Sequence, residues 1–418
     1  MVITHTPPSA PAIILRFLSK YQGFMTHSQT HKWQTKSLGE ICDVVGGGTP
    51  RTAISKYWDG NIVWVTPKDL GSMYNIEVVR SSKCISSEGL KSSSAKLLPI
   101  GAVILSSRAP IGHVAIAGVE LATNQGCRSF ICGKSIFNKY LYYFLKSNTK
   151  LLNDMGSGST FKEISGSKLK TINISFPESL PEQKRLVSIL DEAFVAIEKA
   201  KENAQKNLQN AQEVFESHLE SVFNKPGDGW MTKTLGDVCQ LFQGLCINAK
   251  TKHLLVAKSN LPLLRIKDLR NNSAEQFVAE SGWPKNSYVN DSEIIYTRTG
   301  QIGLVFRGRS GVLHNNCFKI KPSPVLNNDY LFWWLQNPAF RARITTLASK
   351  AAQPDITHTL FKMQTIQVPP RAYQDSSINL INQMRNHTQR LQSLYTQKLS
   401  ALDELKQSLL KKAFSGEL

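Results

Sequence analysis

Ten residues of this chain are written twice. Trp33-Gln-Thr-Lys-Ser-Leu-Gly-Glu-Ile-Cys42 returns as Trp230-Met-Thr-Lys-Thr-Leu-Gly-Asp-Val-Cys239, with six of ten positions identical. Three of the other four are Ser/Thr, Glu/Asp and Ile/Val exchanges. The offset of 197 residues is far longer than the unit of a solenoid or propeller. The constraint is therefore a tandem duplication of a whole domain, and one fold has to be reached by two different sequences.

The copies stay in step. Lys68-Asp69-Leu70 matches Lys267-Asp268-Leu269. The runs Gly101–Arg108 and Ser292–Arg298 are β-branched and end on arginine, followed by Ile111-Gly112 and Ile302-Gly303 and then further apolar residues. That pattern predicts strand, turn, strand. Asn124-Gln-Gly-Cys127 is set against Asn315-Asn-Cys317. Asn138–Leu145 and Asn328–Leu335 are apolar at helical spacing and predict a helix packed on the sheet. Their aromatics read as core, not as a base-stacking platform. Each copy closes on proline, at Pro177 and at Pro369-Pro370.

The texture then changes. From Pro181 to Phe223 no Gly or Pro follows the first residue, and apolar residues recur from Leu186 through Leu190, Ala193 and Ile197 to Leu219 and Val222. Steps of three and four predict one helix of about 40 residues, roughly 60 Å at ~1.5 Å per residue. A second stripe runs from Ile378 to Ala413. Stripes of this length must be covered, and two helices packed as an antiparallel coiled coil cover each other. The fold class is α+β: two tandem globular α/β-mixed domains separated by a pair of long helices. The divisions are an N-terminal extension at 1–32, domains at 33–178 and 227–370, and helices at 179–226 and 371–418.

Charge sharpens this. The net +19 is concentrated, with +7 on residues 33–178, +8 on 227–370, −2 on 179–226 and +3 on 371–418. Two basic domains argue for a polyanionic partner, nucleic acid ahead of a membrane surface. No run of 18 apolar residues exists to span a bilayer. The seven cysteines include no CxxC pair, which argues for buried reduced thiols in a cytoplasmic setting rather than disulfides or zinc. In the extension, no positive charge precedes the apolar run Ala12–Leu18. It is read as loosely ordered, or as lying upstream of a natural start at Met25.

Catalytic motifs are missing. Gly46-Gly-Gly-Thr-Pro50 lacks the Gly-Lys-Ser/Thr of a P-loop and is read as a loop whose backbone approaches DNA. His27 and His31 enclose Ser-Gln-Thr, so HExxH is not met. Gly156-Ser-Gly-Ser159 is read as flexible and has no GxSxG context. The Asn-Pro-Pro-aromatic tetrapeptide of amino-methyltransferases is absent.

In combination, several motifs resemble a family. They are Lys36-x-Leu-Gly-Glu40, Gly46–Pro50, Gly158-Ser-Thr-Phe-Lys-Glu-Ile164, Pro181-Glu-Gln-Lys-Arg185 and the closing run Leu405–Leu418. The chain resembles the specificity (S) subunit of type I restriction–modification systems over about residues 33–418. The resemblance implies two target-recognition domains, each reading half of a bipartite double-stranded DNA site. It implies helices that fix the gap and dock modification (M) subunits, two in number. Those subunits would bring S-adenosylmethionine and methylate adenine N6. Restriction (R) subunits would add ATP- and Mg²⁺-dependent translocation and cleavage, leaving this chain without catalysis or cofactor. The second copy departs from the pattern at Gln243-Gly-Leu-Cys-Ile-Asn248, Ala351-Ala-Gln-Pro-Asp-Ile356 and Tyr373-Gln-Asp375.

Candidate DNA contacts are cations near predicted turns and strand ends. They are Arg51, Lys56, Lys68, Arg108 and Lys162 in the first copy, and Arg265, Lys267, Arg298, Arg307 and Lys350 in the second. Arg108 and Arg298 could equally anchor ion pairs. The alternative function is a coiled-coil interaction adaptor with incidental basic charge.

Overall fold

The computed structural model describes residues 32–73, 75–158, 162–224, 227–349 and 354–418. The reading of the extension before Lys32, including Met25, His27 and His31, and the candidate Lys350 lie outside them. The chain forms two units. One runs to Gln205 and takes in Thr396–Leu418; the other is Lys206–Tyr395.

In the first unit β1 (Trp33–Ser37) pairs antiparallel with β6 (Asn173–Pro177), so the domain opens and closes on one ribbon. Its main sheet has the order β2 (Cys42–Gly46), β5 (Cys127–Cys132), β3 (Val103–Ser106), β4 (Val114–Ala117), with Glu77–Val78 at the edge. The second unit repeats this. β7 (Met231–Thr234) pairs with β12 (Thr365–Val368), and the sheet runs β8 (Cys239–Gln243), β11 (Cys317–Pro322), β9 (Ile294–Thr297), β10 (Val305–Phe306).

The duplicated opening has a local cause. The amide and hydroxyl of Ser37 both donate to the Glu40 carboxylate, at 2.7 and 2.6 Å. Thr234 does the same to Asp237 at 2.9 and 2.7 Å, and the Asp237 amide returns a bond at 3.2 Å. These are capping boxes on the four-residue helices Leu38–Ile41 and Leu235–Val238. A box needs a hydroxyl at the cap and a carboxylate three residues on, so Ser/Thr and Glu/Asp exchange freely while the spacing stays.

Helices α1 (Asn138–Ser147) and α3 (Asn328–Trp334) lie on the sheets. Tyr140, Leu141, Tyr142, Tyr143 and Phe144 are buried, as are Tyr330, Leu331, Phe332, Trp333 and Trp334. These aromatics are core. Cys42, Cys127, Cys239 and Cys317 are buried free thiols. Burial pushes Cys127, Cys239 and Cys317 up to about 12, out of the nucleophilic range.

The long stripes become α2 (Leu180–Phe223) and α4 (Arg371–Ser415). In the first unit, Leu186, Leu190, Ala193 and Ile197 of α2 share one buried cluster with Leu402, Leu405, Leu409 and Ala413 of α4. Glu198 pairs with Lys406 at 2.8 Å and Lys201 pairs with Asp403, so the helices run antiparallel. In the second unit, Leu219, Val222 and Phe223 of α2 share a cluster with Ile378 and Ile381 of α4. There Gln392 donates to Gln212 at 2.9 Å. A buried leucine contributes about 1.5–3 kcal/mol and an exposed ion pair about 0–1. The stripe holds the pair together and the polar contacts fix its register.

Two loops singled out in the sequence are held by the domain's own backbone. A Cβ on Gly47 would overlap the carbonyl oxygens of Thr123 and Asn124. That glycine answers to a close approach of the protein's own backbone, and Gly48 N–H donates to Thr123 O at 2.9 Å. Ser157, read as flexible, exchanges two backbone hydrogen bonds with Glu163, at 3.0 and 2.9 Å.

Candidate nucleic-acid interface

At one end of the first sheet the loops converge on Asn124–Gly126. Thr49 donates its hydroxyl to Gln125 Oε1. Ser107 N–H donates to Gly126 O at 2.8 Å, and Ile164 N–H to Ser107 O at 2.9 Å. Arg128 gathers the ends: it donates to Gln125 O at 3.0 Å and to Glu163 at 3.2 Å. Arg108 lies 3.9 Å from the same carboxylate. Two guanidiniums share one carboxylate, which leaves the cluster positive.

Arg51 and Lys68 are exposed and carry no ion pair among the described residues. Arg51 follows the Gly46–Pro50 loop, and Lys68 stands in the helix Pro67–Gly71, whose Pro67 borders Gly126. Lys162 is exposed beside Glu163. Lys56 belongs elsewhere: it pairs with Glu88 at 2.9 Å, and its carbonyl accepts from Ser86.

The second copy builds the same cluster around His314–Asn316. Leu245 N–H donates to Leu313 O at 2.6 Å, Arg298 N–H to Asn316 O at 2.8 Å, and Ile356 N–H to Arg298 O at 3.0 Å. Cys317 N–H bonds His314 O at 3.0 Å as Cys127 N–H bonds Asn124 O at 3.1 Å. The true counterpart of Asn124 is therefore His314, one place before the Asn315 that sequence comparison suggested. Burial, and then the Arg265 cation, hold His314 below the ordinary histidine range, so it is a neutral imidazole at pH 7. Its Nδ1 faces the Asn316 amide at 3.3 Å.

Here the candidate cations among the described residues are occupied. Arg265 donates to Asp268 at 2.7 Å and to Glu275 at 3.0 Å, and Lys267 reaches Glu275 at 2.8 Å. Arg298 forms a two-point pair with Asp355, one bond at 2.9 Å, and donates to Gln243 Oε1 at 3.2 Å. Arg307 pairs with Asp329, and its guanidinium lies 4.1 Å from the Phe332 ring centre, which ties the sheet edge to α3.

Sequence reasoning missed the polar residues that shape both clusters, namely Gln125, Arg128, Gln243 and His314. No local signal marked them, because their places are set by strand partners: Gly46 faces Arg128 across β2–β5, and Gln243 faces Phe318 across β8–β11. Among the described residues, no group of three His, Cys, Asp or Glu could hold a metal ion, and no helix is long and apolar enough to cross a membrane.

Two copies of one sheet domain, each ending in a polar loop cluster and each carried on a long helix, define a two-module binding scaffold. Comparison with known proteins gives the family. The type I restriction modification DNA specificity domain matches residues 30–206 and 227–398, and this chain belongs to that family. The type I restriction enzyme MjaIX specificity subunit of Methanocaldococcus jannaschii is 34% identical over 290 residues, covering 64% of this chain and 66% of that protein. The EcoR124I/EcoR124II specificity subunit of Escherichia coli is 29% identical over 198 residues, 46% of this chain and 48% of that protein. The matched stretches span less than two thirds of these relatives. Among solved structures, a chain from work on complex assembly and conformational transition of the type I R-M system has TM-score 0.76 at 16% identity, covering 92% of this chain and 98% of that one. The HsdS subunit from Thermoanaerobacter tengcongensis has TM-score 0.61 at 16% identity, covering 92% and 97%. Both share the fold.

Proposed function

We propose that the chain is the DNA-recognition subunit of a type I restriction–modification complex. Residues 33–178 and 227–370 act as two target-recognition domains on one bipartite duplex site, and 179–226 and 371–418 set the gap and dock two M subunits. The observation that carries this is the doubled loop cluster, built alike in both copies but presenting Asn124-Gln-Gly126 in one and His314-Asn-Asn316 in the other. Identical construction with different side chains suits two readers of different half-sites, because phosphate contacts position a protein while base-edge contacts specify sequence. In the first cluster, Arg51, Lys68 and Lys162 are the cations available to phosphates, while Arg108 shares the Glu163 carboxylate with Arg128.

The chain itself supplies no catalysis. S-adenosylmethionine belongs to the M subunits, ATP and Mg²⁺ to R subunits, and the complex works on cytoplasmic DNA. The test is base-resolution mapping of methylated adenines in cells with and without this gene. A bipartite motif that disappears on deletion is expected; an unchanged methylation map would overturn the reading. Exchange of residues 33–178 for a homologous domain should alter one half of the motif only.

A further inference from the structure

Gln183 and Gln374 are each the fourth residue of a long helix, α2 and α4. An amide in the first turns of a helix ordinarily faces water. These two are 0% and 1% exposed, and at that depth an amide needs partners on both its ends. Gln183 Oε1 accepts from Phe137 N–H at 2.8 Å, and its Nε2 donates to Ser135 O at 2.9 Å and Pro177 O at 2.8 Å. Gln374 repeats the set. Its Oε1 accepts from Asn327 N–H at 2.7 Å, and its Nε2 donates to Val325 O at 3.0 Å and Pro369 O at 2.9 Å.

One planar group thus ties three segments together: the loop that enters α1 or α3, the end of the closing strand, and the long helix. Apolar packing between helix and domain is tolerant of small rotations. Three hydrogen bonds on one rigid amide are not, because their directions are fixed. The flanking residues have diverged completely, Glu182 and Lys184 in one copy against Tyr373 and Asp375 in the other, while the amide and all its bonds remain.

We infer that Gln183 and Gln374 are positioning residues that lock the angle of each domain on its helix, and through that angle set the spacing at which two half-sites are read. The spacing claim rests on the recognition reading above; the locking claim does not. The test expresses the full chain with its methyltransferase partner and maps adenine methylation in the host genome, for wild type, Gln183→Met and Gln374→Met. Both variants keep the two half-motifs and methylate sites whose gap is one base pair longer or shorter at least 10-fold more often than wild type. An unchanged gap with uniformly lower methylation overturns the inference, because loss of fold alone does that. Where a methionine variant fails to accumulate, Gln183→Glu replaces it, keeping the acceptor and losing both donors.

A second measurement separates the two claims. Spin labels at Lys91 and Val195, both exposed and both in the first unit, report the domain–helix joint without DNA. Their distance distribution broadens in Gln183→Met, and an unchanged distribution overturns the lock. Wild type that methylates no bipartite motif overturns the recognition reading and the spacing claim together, while the label distances still decide the lock.

Discussion

Arg128 of the first copy has no arginine counterpart in the second, where Phe318 stands, and the loss is met from across the sheet. Gln243 takes the place of Gly46 and donates to Asn315 O at 2.9 Å, the bond that Arg128 gives Gln125 O at 3.0 Å. The same demand, a donor for the carbonyl at the cluster's centre, is met from opposite strands. Backbone crowding beside it yields a prediction. Gly46→Ala adds a methyl 3.7 Å from the Arg128 guanidinium, an ordinary contact. Gly47→Ala drives one into two carbonyl oxygens. Denaturant unfolding of the first unit should show a loss of about 2 kcal/mol or more for Gly47→Ala and a change within about 0.5 for Gly46→Ala. Equal effects would mean that the backbone at Thr123 and Asn124 yields to the added methyl. Asp268 gives a second prediction. Burial alone would raise its carboxyl, but the guanidinium and amide of Arg265, with the Glu275 amide, outweigh burial and hold it below the ordinary carboxylate range. A depressed carboxylate contributes stability that is present above its unfolded value and lost as pH falls through its folded value. Asp268→Asn should cost about 2–3 kcal/mol near neutrality. The gap to wild type should close as the pH falls below the ordinary carboxylate range and through the depressed folded value, and a gap constant down into strong acid would show that the charge is irrelevant.

The two long helices were legible because a period of three to four residues, sustained over 44 and 45 residues, has one cheap explanation. Capping boxes were legible for a related reason, since their partners are three residues apart. The sheets were less so, with strands of two to eight residues carrying little period of their own. Long-range pairing was invisible. Arg298 and Asp355 are 57 residues apart, so no local pattern announces that the arginine is spoken for. The off-by-one match of Asn124 has the same origin: register is set by partners across the sheet, not by the residues alone. At this scale the ends of α2 and α4 make a pair of equivalents. Phe223 meets Tyr330 edge-on at 5.1 Å, and Phe414 meets Tyr140 at 5.0 Å. Phe223 is 3% exposed, whereas Phe414 is half-buried. Phe223→Ala should cost about 3 kcal/mol or more and Phe414→Ala about 2, since the penalty grows with the size of the cavity that the missing ring leaves behind. Peptide-resolved hydrogen exchange should locate the first loss in Lys206–Tyr395 and the second in the other unit. Exchange that rises in both units for either variant would show that the helix ends do not act locally.

For the whole molecule, formal charge and usable charge differ. Residues 33–178 carry +7 and 227–370 carry +8, so a count makes the domains equal partners for a polyanion. Among the candidate DNA contacts, however, ion pairing separates the copies. Arg265, Lys267, Arg298 and Arg307 are each already paired with a carboxylate of their own domain, whereas Arg51 and Lys68 are not. A paired cation releases little when a phosphate approaches, because the carboxylate must first be displaced or must share. Binding of the full chain to a mixed-sequence duplex should therefore respond unequally to neutralisation. The logarithm of affinity falls linearly with the logarithm of salt, with a slope of about −0.9 per phosphate contact. Arg51→Ala with Lys68→Ala should flatten that slope by nearly 2 and leave the unfolding temperature in place. Arg265→Ala with Lys267→Ala should leave the slope within about 0.5. Its cost appears as lost stability of the second unit, because Asp268 is fully buried and loses its guanidinium. Equal flattening by both pairs would mean that the carboxylates give way to DNA and that both domains hold phosphates alike.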